Sequence, residues 1–318
     1  MKPREVGRYT VRDATVIGQL RNKDLRLSFD RIRHYFSSGF KFVEALNTSS
    51  SALVFARKLI KMEAEILKSS NAFPAEMYAN VDSSLADVLL NSQICCPRDV
   101  PFLSNWKEEQ QEYNTVRYSH CRAIVKYVDF VTALPDIHRI HGADKLKLIQ
   151  ENFTSAQFMT VLYRMWNKTA DAMIEERMAN YQLPEEQQKI ISRLTARLGP
   201  IGKEFCGLFE RLNLQHEELI LLKVIHVFSA GVGYSETGCS DIQEIRTKYL
   251  IHLGTLIQEL FPCMSESEIL ERVTRSLEIL MLAKIANQVT LFGFRELFAV
   301  NADKLAGNLT YDLYIREY

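Results

Sequence analysis

Apolar side chains recur at helical spacing along most of the chain. In residues 52–68 they lie three or four positions apart, interrupted only by Glu63, and this pattern predicts an amphipathic helix. Residues 241–260 repeat the spacing, and residues 265–298 form a longer helix that begins with the capping box Ser265-x-x-Glu268. No segment has a clear strand pattern, so we expect at most one small β-hairpin, within residues 167–185.

The middle of the chain predicts two further long helices. Residues 106–133 contain no Gly or Pro and should end at Leu134-Pro135, because proline disfavours a helical residue before it. Residues 143–166 follow, and their middle, Ala156–Tyr163, is apolar nearly all round, which is typical of a helix buried on most sides. We therefore place residues 143–166 in the central layer of an all-α fold.

Shorter elements and breaks complete the pattern. Short helices are expected near residues 85–90 and in the tail, residues 304–318. The Gly-Pro pair at positions 199–200 should break one helix into two. Residues 1–33 carry nine basic and four acidic residues, which suits either a phosphate-attracting extension or a solvated tail. Two regions follow: a basic arm, residues 1–50, and a helical domain, residues 51–318.

Composition narrows the class of protein. The 318 residues are 47% hydrophobic and carry 39 basic and 39 acidic side chains, so no overall positive field favours nucleic acid. Only 13 Gly and 8 Pro are present, which is few for a many-stranded β protein. No charge-free run is long enough to cross a membrane, so no membrane partner is expected. The six cysteines form no CxxC pair and favour a reduced compartment.

Catalytic sequence motifs are missing. The chain has no Gly-rich phosphate loop, no GxSxG and no HExxH. We therefore expect neither an enzyme nor a catalytic cofactor or metal site.

Residues 128–150 resemble the signature of nuclear hormone receptor ligand-binding domains. In that signature an acidic residue is followed by an aromatic one, then a hydrophobic residue by proline, and then come an aspartate and a pair of leucines. The matching residues are Asp129-Phe130, Leu134-Pro135, Asp144 and Leu148-Ile149. Residues 212–235 and 272–282 look like the family's helix 8 and the start of its helix 10. The resemblance covers about residues 106–318, and its divergence is similar to that of the nematode receptors related to hepatocyte nuclear factor.

Residues 1–6 resemble the stretch that follows the second zinc module of the family's DNA-binding domain, whose zinc-binding cysteines are missing here. The resemblance implies that DNA is bound only through a domain absent from this chain. It also implies a three-layer antiparallel helical sandwich and a transcription regulator of the nucleus and cytoplasm.

The same resemblance implies a ligand cavity in the lower half of the domain. Arg164 falls where lipid-acid-binding members hold a ligand carboxylate, so a fatty acid or another lipophilic acid is the expected ligand. Alternatively, Arg164 pairs with a protein group and side chains fill the cavity. The residues expected to line it are Val116, Ser119, His120, Ala123, Gln157, Val161 and Arg164.

Family members that activate transcription clamp a coactivator's LxxLL helix between a lysine and a glutamate. Here Thr132 stands at the lysine position, Gln150 at the next basic position, and Asp312 at the glutamate position. Lys147, one turn before Gln150, could substitute as the basic group. These departures imply weak binding of coregulator proteins.

Two further features follow from the resemblance. Glu218 and Arg272 are expected to form a buried ion pair. The helix at residues 265–298 is expected to form a homodimer or heterodimer through an apolar line, although a face turned to the core would look alike. This apolar line consists of Ile269, Val273, Leu277 and Leu280.

The alternative function is a ligand-blind helical dimerisation module, or a dominant-negative receptor form without DNA contacts.

Overall fold

The structure is a computed structural model that describes residues 51–68, 84–89, 123–167, 185–300 and 308–315. These residues are 87% helical and include no strand, which confirms the all-α class. The predicted basic arm, residues 1–50, and most of the possible hairpin region lie outside the described residues.

The described helices are numbered here in chain order. They are α1 (Ala52–Lys68), α2 (85–89), α3 (123–132), α4 (Gly142–Trp166), α5 (Glu185–Leu212), α6 (His216–Val227), α7 (Glu236–Leu260), α8 (Glu266–Val300) and α9 (Asn308–Tyr314), with a 3₁₀ turn at Pro135–Arg139.

Helices α4, α6 and α7 form the middle layer of the domain. Helix α1 contacts α6 and α7 from one side, whereas α8 contacts all three from the other and α5 packs on α4 and α8. Leu148 and Phe153 are both buried although they lie on nearly opposite faces of α4. The central position predicted for residues 143–166 is thus confirmed.

A buried polar side chain fixes α4 against α6. The amide of Asn152 donates to the carbonyl oxygens of Leu148 at 3.0 Å and of Val227 at 3.2 Å. A buried amide would cost free energy without such partners, so these bonds set how α4 sits against the end of α6.

Two helix boundaries lie where the sequence predicts them. Helix α3 ends before Leu134, whose extended backbone leads into the 3₁₀ turn that begins at Pro135. At the start of α8, the Ser265 backbone N–H donates to the Glu268 carboxylate at 2.7 Å, and the Glu268 N–H donates to Ser265 Oγ at 3.4 Å. The capping box is therefore confirmed.

The break predicted at Gly199-Pro200 is wrong, since α5 continues through both residues. Pro200 removes one backbone hydrogen bond, but the exposed position leaves the unpaired carbonyl of Ala196 to water. Burial of Ile190 and Phe205 on either side of the proline offsets that loss.

The apolar line on α8 faces the core of its own chain. Leu280 is buried, and Ile269, Val273 and Leu277 pack against the main core. These contacts fit the alternative of a face turned to the core, and the contact with a partner stays a prediction. A periodic apolar line can be buried by any apolar surface, and in this chain α6 and α7 provide that surface.

Helix α8 is also long and apolar enough to cross a membrane by length and composition. Its most apolar window has a mean hydropathy of 1.3, with 33% of it buried in the domain. The sequence expectation missed this window because it considered only charge-free runs. Core helices of globular domains meet the same criterion, so the feature is weak evidence for a span.

Candidate functional site

The predicted cavity residues that the structure describes are not all buried. Val116, Ser119 and His120 lie outside the described residues. Ala123 on α3 and Gln157 on α4 are half-buried. Val161 is 45% exposed, which does not fit a residue lining a closed cavity.

A cluster of charged side chains lies between α1, the end of α4 and α6, and we call it the Glu63 cluster. It consists of Glu63, Arg164, His216 and Lys223. The Lys223 ammonium forms an ion pair with the Glu63 carboxylate, and both side chains are largely buried. The same ammonium lies 4.5 Å from the centre of the Phe130 ring, which adds a cation–π contact.

The charges in this cluster act on one another. Burial by itself would raise the pKa of Glu63, but Lys223, together with Arg164 and His216, lowers that pKa below its ordinary value. Burial also lowers the pKa of His216. Arg164 therefore lies close enough to a protein carboxylate to stabilise its charged form.

The sequence prediction named Arg164 as a site residue but none of the other three members of this cluster, among them Glu63. The only signal was that it interrupts the apolar spacing of α1. A charged residue on a buried helix face needs a partner, but the partner, Lys223, lies far away in sequence and could not be named in advance.

The expected peptide clamp has a different arrangement. Thr132 is buried, and its hydroxyl donates to the Asp129 carbonyl at 3.2 Å. The Lys147 ammonium lies 3.8 Å from the Glu151 carboxylate and 5.5 Å from the centre of the Tyr234 ring. Thr132 carries no charge, and the Lys147 ammonium already pairs with a carboxylate of its own chain, so neither residue offers a free cation to the end of a peptide helix.

Helix α9 is held against α4 by the residues that were expected to hold a peptide. The Gln150 amide donates to the Asp312 carbonyl at 2.8 Å, and the buried Asp312 carboxylate accepts from the Leu85 N–H at 2.8 Å. The Asp312 carboxylate thus points inward, towards the first residue of α2, and its role in clamping a partner stays a prediction.

Aromatic packing also holds α9 in place. The Tyr314 ring stacks on the Phe294 ring of α8 with their centres 4.4 Å apart. Arg295 donates to the Tyr314 carbonyl at 3.2 Å. These contacts and those of Asp312 therefore hold the C-terminal half of α9.

Glu218 and Arg272 form the buried ion pair that was expected. Arg272 Nε and Nη2 each donate to one oxygen of the Glu218 carboxylate at 2.8 Å. Glu218 is fully buried and also accepts from the Gln215 N–H at 3.0 Å, so the same carboxylate caps α6. The Arg272 guanidinium lies 4.3 Å from the centre of the Phe261 ring.

The described residues contain no group of three potential metal ligands. A comparison with profiles of known protein families and a search among curated proteins both found no match.

Proposed function

We propose that this chain is the ligand-binding and dimerisation domain of a nuclear receptor-type transcription regulator that acts in the nucleus. The observation that carries the proposal is the central helix α4, which packs against α5, α6, α8 and α9 and lies where the sequence resembles the family signature. The bidentate Glu218–Arg272 pair supports the proposal, because the resemblance implies that pair.

A reporter assay tests the regulatory part of the proposal. The chain is fused to an unrelated DNA-binding module, and transcription from its target promoter is measured in cells. We expect a change relative to the module alone. A fusion that folds and enters the nucleus but leaves transcription unchanged would contradict the proposal.

The ligand in this proposal is a lipophilic acid whose carboxylate is held by Arg164. Native mass spectrometry of protein expressed in bacteria should then show a retained fatty acid. Arg164→Ala should release it, whereas Arg193→Ala, on exposed α5, should not. If both variants retain the fatty acid equally, Arg164 does not hold its carboxylate.

One observation favours the alternative, a ligand-blind dimerisation module. Glu63 already places a carboxylate near Arg164, so the protein itself supplies the acidic group that a ligand would bring. This alternative predicts a chain that carries no small molecule in the same mass spectra.

Coregulator binding is proposed to be weak, because Asp312 caps α2 and Gln150 holds α9. We expect an LxxLL peptide to bind with a micromolar or weaker dissociation constant. Submicromolar binding in fluorescence anisotropy would refute this expectation.

The dimer surface is proposed to be the exposed side of α8. Met281, Ile285 and Phe292 are 67%, 48% and 51% exposed, and their spacing places them on one face of the helix. Light scattering should show a dimer that Ile285→Asp dissociates. The matched control is Val54→Asp, at a similarly exposed position on α1, which should leave the dimer intact.

A further inference from the structure

Three unpartnered polar atoms lie where α6, α7 and α8 meet. They are His226 Nδ1, Arg246 Nε and Ser276 Oγ, which are buried and have no hydrogen-bond partner among the described residues. Buried polar atoms are nearly always paired, because removing one from water without a partner costs free energy. Three such atoms on adjoining helices are therefore available to bond a polar species.

The geometry of the helices brings these residues together. Helices α7 and α8 are in contact and are joined by a short turn, so they run antiparallel. Arg246 precedes that turn by about as many residues as separate the turn from residues 276–284, so these positions lie side by side on α7 and α8. Ser276 shares the buried face of α8 with Leu280 and Ala283. After burial, the charges of Lys284 and Arg246 are the causes that lower the pKa of His226.

The two cations at this junction lack acidic partners. Arg246 and Lys284 form no ion pair with any residue that the structure describes. Other basic residues of α7 and α8 do: Lys248 pairs with Asp136, Arg272 with Glu218, and Arg275 with Glu271. The junction thus carries an uncompensated positive charge.

His226 forms the floor of the junction. It is fully buried, and its Nε2 is hydrogen-bonded to the Ser155 hydroxyl of α4. Burial, together with Lys284 and Arg246, lowers the pKa of His226 to about 3, so the imidazole is neutral. The nearby acidic side chain on α4, Glu151, accepts a hydrogen bond from the Tyr234 hydroxyl at 2.8 Å.

We propose that the junction of α6, α7 and α8 binds a small oxyanion, of the phosphate type, between Arg246 and Lys284. The guanidinium and the ammonium supply the positive charge, and the Ser276 hydroxyl donates a hydrogen bond from the buried side. Lys284 is exposed, so the anion enters along the outer edge of α7 and α8. The site does not depend on the proposed receptor function or on Arg164.

Isothermal titration of the full chain with inorganic phosphate tests the site, with chloride replaced to keep the ionic strength constant. A second arm uses phenyl phosphate, which separates a free phosphate ion from the phosphate group of a larger ligand. We expect saturable binding in at least one arm. Binding should weaken about tenfold or more in Arg246→Gln and in Lys284→Gln, because each removes a charged donor.

The matched control is Arg275→Gln, which removes an exposed charge from the same helix and should leave binding unchanged. If Arg246→Gln does not fold, the exposed Lys284→Gln still gives the result. In nuclear magnetic resonance spectra, the bound anion should raise the pH at which the His226 ring titrates, because it offsets the two cations. No saturable binding in either arm, or equal weakening in the control, would overturn the proposal.

Discussion

Replacing Arg272 with methionine would leave the Glu218 carboxylate buried without its guanidinium partner. The wild-type pair has two N–H···O bonds of 2.8 Å, and Glu218 is fully buried, so water cannot replace the lost donors. Removing one partner of such a buried pair typically costs about 3–5 kcal/mol. Methionine keeps much of the side-chain volume, so packing on the Phe261 ring changes little.

The measurement is the free energy of unfolding from urea denaturation, followed by circular dichroism. The matched control is Arg275→Met, which breaks an exposed pair on the same helix and should cost only about 0.5 kcal/mol. The double variant Glu218→Gln/Arg272→Met should recover part of the loss, because a neutral amide oxygen can still accept from the Gln215 N–H. A loss in Arg272→Met no larger than the control's would refute the reasoning.

Two further predictions concern stability. The folded pKa of His226, about 3, lies below its ordinary value of 6.5, so protonation favours the unfolded chain. The free energy of unfolding should fall as the pH drops from 6.5 towards 3, and His226→Gln should reduce that dependence; an unchanged pH profile in urea titrations would contradict it. Pro200→Ala should raise the free energy of unfolding by about 1–3 kcal/mol, because it restores a helical N–H within α5. Gly199→Ala, which meets no neighbouring atom, should add about 1 kcal/mol, and a destabilised Pro200→Ala in thermal denaturation would refute this account.

Helical periodicity predicted the class of the fold because it depends on local spacing. The central position of α4 followed from its lack of a polar face. Pro200 shows the limit of such reasoning, since the local penalty of a proline was outweighed by burial on both sides of it. The apolar line on α8 shows another limit: periodicity identifies a buried face but not whether the covering surface belongs to the same chain.

The candidate site could be predicted only in part. The Glu218–Arg272 contact was expected from the resemblance and is present. The partner of Glu63 could not be predicted, because Lys223 comes from a helix 160 positions later in the sequence. The inward orientation of the Asp312 side chain could not be predicted either, because it depends on how α9 packs against α2.

The hydrogen bond from Leu85 to Asp312 has a consequence for movement at the end of the chain. It joins segments 227 positions apart, so displacing α9 also removes one of the hydrogen bonds that cap the short helix α2. A partner that displaces α9 must therefore offset the free energy of detaching α9 and of loosening the start of α2. The two segments should consequently open as one cooperative unit, with their amide hydrogens exchanging at similar rates.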